Sequence, residues 1–208
     1  MSSNPFEQDR PVPALAKQAW NPEFYKDMTT PRKSSPAYDA IWQTLGAGSP
    51  EVWEKLSEEW PGFPQGREDF LGDTWLSRAV YSGNPAAVAW ILGKGAEVSV
   101  LEKDGYTPLH SAIDSENGDS KYEIMGLLIE AGADLNARGF NDWTPAHLAG
   151  ARNDLRALKM ICEAGGDLSV RTRIDWYATP LEELEHLEAM QIGFCSECLA
   201  YLRERATE

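Results

Sequence analysis

The chain lacks long hydrophobic runs, is poor in cysteine and short of basic residues, and each shortage removes a class of protein. No unbroken apolar stretch in its 208 residues is long enough to cross a bilayer, so no membrane role is expected. The opening MSSNPFEQDRPVP has no basic stretch leading into an apolar one, which predicts no secretory leader and a cytoplasmic location. Three cysteines, Cys162, Cys195 and Cys198, are too few and odd in number for a disulfide framework. Lys and Arg number 19 against 33 Asp and Glu, a formal net charge of −14. Residues 1–35 are nearly balanced, so the rest of the chain carries the acidic excess. Such a body repels phosphate backbones, which argues against nucleic acid, and hastens encounter with basic partners. Signatures of chemistry are missing too: no G-x-x-x-x-G-K-[ST], no G-x-G-x-x-G after a strand, no H-E-x-x-H and no G-x-S-x-G. The expectation is a protein that is no enzyme and carries no cofactor.

What is present begins with proline. Residues 1–36 hold Pro5, Pro11, Pro13, Pro22, Pro31 and Pro36 and read as an extended arm, punctuated by Phe6, Trp20, Phe24 and Tyr25. From residue 37 the apolar period becomes helical. AYDAIWQTLG places Ile41, Trp42 and Leu45 on one side, and Ser49-Pro50 reads as the cap of a second helix. Residues 37–65 thus form a helical cap.

Three segments then align: TWLSRA (74–79), TPLHSA (107–112) and TPAHLA (144–149), with TPLEEL (179–184) as a partial fourth. The first three are each followed by an apolar helix and a glycine stop, GKGAEVSV, EAGADLNA and EAGGDLSV. The motif threonines lie 33, 37 and 35 residues apart. Thr before Pro is an N-cap followed by a residue whose missing N–H costs nothing at a helix start. Ala112 and Ala149 leave room for a neighbouring helix, and Gly95, Gly132 and Gly165 stand where a left-handed C-cap is wanted. The 37-residue spacing places extra residues in DSENGDSK (114–121).

A period near 33 residues with T-P-L-H-x-A resembles the ankyrin repeat. The resemblance implies an all-α solenoid of helix-turn-helix units with hairpin-like loops, three repeats (66–101, 102–138, 139–173) and a C-terminal cap repeat (174–208). It also implies that His110 and His147 tie the loops of adjacent repeats together. Trp75 and Ser77 stand where the family has Pro and His, and Glu182 stands where the last His would be. Thr179-x-x-Glu182 is a capping box instead.

Ankyrin repeats bind proteins through loop tips and the exposed face of each first helix. Carried over, that surface is Leu101, Glu102, Lys103 and Tyr106 on one tip. Arg138, Phe140, Asn141 and Trp143 make the next, and Arg171, Arg173, Asp175 and Trp176 the last. Tyr81, Ser82, Asp114, Ser115 and Arg152 stand at the ends of the first helices. Tyr, Trp and Arg are enriched at interface hot spots. The expected partner is a protein, held as a monomer or in a one-to-one heterocomplex. A short acidic ankyrin chain also resembles the immunity proteins that bacteria encode beside toxins; a cytosolic adaptor or regulatory subunit is the alternative. A metal or redox role would use Cys195-x-x-Cys198 with Cys162 or His186, against the simpler reading of buried thiols at a helix contact.

Overall fold

The computed structural model describes residues 34–68, 71–174, 176–191 and 195–207. Most of the proline-rich arm, with its four aromatics, and Asp175 lie outside the described residues. Ten α-helices and no strand are present among the described residues, arranged as five consecutive pairs. These are α1 (Pro36–Leu45) with α2 (Pro50–Glu59), α3 (Trp75–Ser82) with α4 (Pro85–Gly93), and α5 (Pro108–Asp114) with α6 (Ser120–Glu130). They continue as α7 (Pro145–Ala151) with α8 (Leu155–Glu163), and α9 (Pro180–Ala189) with α10 (Ser196–Arg205).

Local chemistry explains where these helices start and stop. The Thr74, Thr107 and Thr179 side chains accept from the backbone N–H three residues on, filling one of the donors a helix start leaves open. Ser35 does the same for α1 through Tyr38 N. Ser49 holds the N-cap position of α2 but does not do the same: its hydroxyl donates to Glu51 at 2.6 Å, and Pro50 follows at the first helical position, where no N–H is needed. Gly95, Gly132 and Gly165 end the second helices at φ of 83°, 88° and 95°, a region costly for any residue with a Cβ.

The first helices pack in one row, α1 to α3 to α5 to α7 to α9, and the second helices in another, α2 to α4 to α6 to α8 to α10. Leu76, Leu109, Ile113 and Leu148 from one row meet Ile91, Leu128, Leu158 and Ile161 from the other in a continuous core. Each such side chain contributes about 1.5–3 kcal/mol by leaving water. Ala79, Ala112 and Ala149 are wholly buried, in keeping with close approach in the first row. At Gly150 a Cβ would stand 3.0 Å from Leu184, so α7 and α9 meet closely there.

The N-terminal end of the core is aromatic. Trp53 lies 5.8 Å from Trp90, and Phe63 meets Trp75 edge-on at 5.4 Å and stacks on Trp90 at 5.5 Å. The C-terminal end is closed by Cys198, Leu199 and Leu202. Between the helices of one pair the chain crosses over 83–84 in the first repeat and 152–154 in the third, but over 115–119 in the second. The extra residues fall within the expected segment.

Candidate functional site

The loops joining one pair to the next are closed tips. Glu68 N donates to Asp73 O, Glu102 N to Tyr106 O, Gly139 N to Trp143 O, and Thr172 N to Ala178 O, at 2.7–2.9 Å. Each of the last three tips is fastened to the helix start of the repeat before it. His110 Nε2 lies 3.1 Å from Trp143 O, and His147 Nε2 lies 3.1 Å from Ala178 O. A carbonyl only accepts, so Nε2 carries the proton and Nδ1 is left to accept from Thr107 N or Thr144 N. Burial disfavours the imidazolium and holds both rings near pKa 4. They are fasteners that stay neutral at neutral pH.

The first junction is fastened differently. Glu102, expected as an exposed tip residue, is 5% exposed. Its Oε1 accepts from Thr74 N at 3.0 Å, Thr74 Oγ1 at 2.5 Å and Ser77 Oγ at 2.8 Å, while Oε2 takes Arg67 at 2.6 Å. Ser77 stands where a motif His would be, and a serine is too short to reach the next tip. The tip sends a carboxylate back instead.

The sequence-selected tip residues fall into two groups. The basic ones are engaged within the chain. Arg138 and Arg173 both bind the buried carboxylate of Asp142, each with a contact of 2.6 Å. Burial alone would raise that carboxyl's pKa; the Arg173 hydrogen bonds and the Arg138 charge outweigh it and hold the pKa low. Arg171 grips both oxygens of Glu182 at 2.5 and 2.7 Å and donates to Tyr177 O. Lys103 donates to Leu71 O. Asp142 is the organising residue that the sequence reading missed. Its signal is faint: one aspartate flanked in space by arginines of two different tips.

The apolar tip residues are the ones left outside. Leu101 is 54% exposed, Phe140 57% and Trp176 40%, one on each of three successive tips. Phe140 is held from beneath: its ring meets Tyr106 edge-on at 6.5 Å, and Tyr106 stacks on His110 at 5.8 Å. Trp143 is half-buried against the core, so it braces the tip more than it displays itself. Trp176 rests on His186, with ring centroids 4.6 Å apart.

At the helix ends, Tyr81 is half-buried. Its hydroxyl lies 3.2 Å from Asp104 and 3.1 Å from Ser111, and burial pushes its pKa up to about 12. Arg152 Nε donates to Asp114 at 2.5 Å across adjacent first helices.

The C-x-x-C thiols face away from solvent. Cys195 Sγ lies 3.8 Å from Leu184 O and Cys198 Sγ lies 3.9 Å from Ala149 O. Burial pushes the Cys198 pKa up to about 12, the reverse of what a nucleophile or metal-ligating thiolate needs. The pair joins α10 to its neighbours.

Comparison with known proteins agrees with this architecture. A family model described as ankyrin repeats (3 copies) matches residues 76–172. The chain is similar to the 2-5A-dependent ribonuclease of Mus musculus, 37% identical over 79 residues, covering 38% of this chain and 10% of that protein. It is similar to an ankyrin repeat-containing protein of Treponema pallidum, 34% identical over 101 residues, 48% of this chain and 33% of that one. An ankyrin repeat protein of Rickettsia felis is 40% identical over 57 residues, 27% of this chain and 25% of the relative. The chain therefore spans from a tenth to a third of the length of these relatives. The forward-reaching histidines, the closed tips, the two helix rows and the family match agree: residues 76–172 are ankyrin repeats.

Proposed function

We propose that the chain captures a partner protein on its loop tips, around the apolar row of Leu101, Phe140 and Trp176. Ankyrin repeats are protein-interaction modules, typically non-catalytic, and the tips here have the right character. The supporting observation is Phe140: a large exposed aromatic on a tip closed by backbone hydrogen bonds and braced on Tyr106 and His110. A preorganised aromatic loses little entropy when a partner covers it, which is what makes an anchor residue effective. The arginines around it are ion-paired, Arg138 and Arg173 to Asp142 and Arg171 to Glu182, so they serve as a polar rim.

The narrower form of the proposal is an immunity-type inhibitor of a toxin. Its support is the net charge of −14, which suits a basic target. The test is affinity capture from the native cell, comparing wild type with a Phe140→Ala/Trp176→Ala variant. Retention by wild type and loss from the variant supports the tip surface. Equal retention moves binding elsewhere. Protection of cells co-expressing a toxin, lost with the same variant, supports the inhibitor form; a non-toxic partner makes the chain an adaptor or regulatory subunit.

A further inference from the structure

The long link of the second repeat leaves a structural opening. Asn117 Nδ2 reaches back to Val80 O at 3.1 Å, and Ser120 Oγ holds Asn117 O at 2.8 Å. The same Asn117 side chain lies against Gly83, where a Cβ would stand 2.7 Å from it. The link therefore leans over the end of α3, and a notch of about 560 Å³ opens on its other side, toward residues 152–154. That size is in the range of sites that take a discrete chemical group.

The charges lining the notch do not cancel. Lys121 is spent on Asp154, at 2.5 Å from Oδ2, and the Tyr122 hydroxyl donates to Asp154 Oδ1 at 3.0 Å. Arg152 is spent on Asp114, meeting Oδ1 through both Nε and Nη2. Asp114 Oδ2 and the exposed carboxylate of Glu116 have no partner among the described residues. An anion entering here would have to break one of two ion pairs. A neutral donor could bond a free acceptor but would leave the excess negative charge uncompensated. A cation gains both, and its alkyl stem can lie along Ile113 and Tyr122, which also line the notch.

We propose that this notch receives a cationic side chain, an arginine or lysine, from the partner protein. The inference rests on the protein-binding reading above and gives the partner a chemistry: one basic residue set apart from the apolar patch that meets Phe140.

The test uses the full chain, isotope-labelled, titrated with the capped peptide Gly-Gly-Arg-Gly-Gly and with its glutamate counterpart. The expected result is saturable movement of the Ser115, Glu116, Arg152 and Asn153 amide signals with the arginine peptide alone. Glu116→Gln should weaken that binding by up to about fivefold, the scale of one exposed charge pair. Arg152→Ala frees the second Asp114 oxygen and should tighten it. Equal response to both peptides, movement matched by sodium chloride at the same ionic strength, or indifference to both substitutions overturns the proposal. Failure of the notch is separable from failure of the tip reading. A captured partner that needs Phe140 but ignores Glu116 removes only the notch; loss of Phe140 dependence removes the tip surface while the peptide titration still stands.

Discussion

The first junction between repeats and the two that follow solve one geometric problem with opposite chemistry. At the second and third, a neutral imidazole reaches forward from the helix start to the next tip's carbonyl. At the first, a carboxylate reaches back from the tip to the preceding Thr74 and Ser77. Both satisfy the buried threonine N–H and both tie tip to helix. The requirement belongs to the position, and the residue that meets it can sit on either side of the interface.

Acid should separate the two solutions most strongly. His110 and His147 have folded pKa values near 4, below the ordinary 6.5, so the unfolded chain binds more protons between those values. Their contribution is complete above pH 6.5 and falls as pH drops toward 4, by roughly 3 kcal/mol for each ring. Urea unfolding across this window measures the total. Amide exchange then locates it: Thr107 and Thr144 should lose protection ahead of Thr74, and the reverse order breaks the comparison.

Glu102→Ala should cost about 3 kcal/mol, because it strands Thr74 N and Ser77 Oγ in a buried site. Adding Ser77→His should recover part of that loss, since Tyr106 O occupies the place that Trp143 O and Ala178 O hold in the later tips. No recovery in thermal melts means that the two fasteners are not equivalent.

Phe140→Ala sharpens the comparison between fastener and display. Stability should move by less than about 0.5 kcal/mol, as for other exposed sites. Partner affinity should fall by about 2 kcal/mol, roughly 30-fold, in a calorimetric titration. Glu182→Ala, which removes a capping box already shared with Arg171, should cost about 1 kcal/mol in chemical unfolding, less than the affinity that Phe140→Ala removes.

Much of this architecture is readable from the sequence because its causes are local. Thr107-Pro108 and Thr144-Pro145 start helices whatever surrounds them, and the glycines at 95, 132 and 165 end them. The 33-residue period then implies the stacking. What was not legible depends on pairs far apart in the chain. Glu102 looks like a tip acid until Thr74, 28 residues earlier, is seen beside it. Asp142 looks like turn composition until Arg173, 31 residues later, closes on it. Arg173 looks free in sequence because its partner lies 31 residues away, and Arg171 because its partner lies 11 residues on, on the following helix. Phe140 was identifiable because exposure at a hairpin tip follows from the loop itself.

The paired junctions also bear on how such a chain can lengthen. The second and third repeats present interchangeable faces: a threonine N–H and an imidazole donor on one side, a tip carbonyl on the other. A copy of the third can be inserted between them with every fastener remade, whereas a copy of the second would bring a Glu102 with no Thr74 and Ser77 to meet. The first repeat has no such freedom, because Thr74 and Ser77 are matched only to a tip that carries Glu102. Growth by duplication is therefore open on one side of the second repeat and closed on the other.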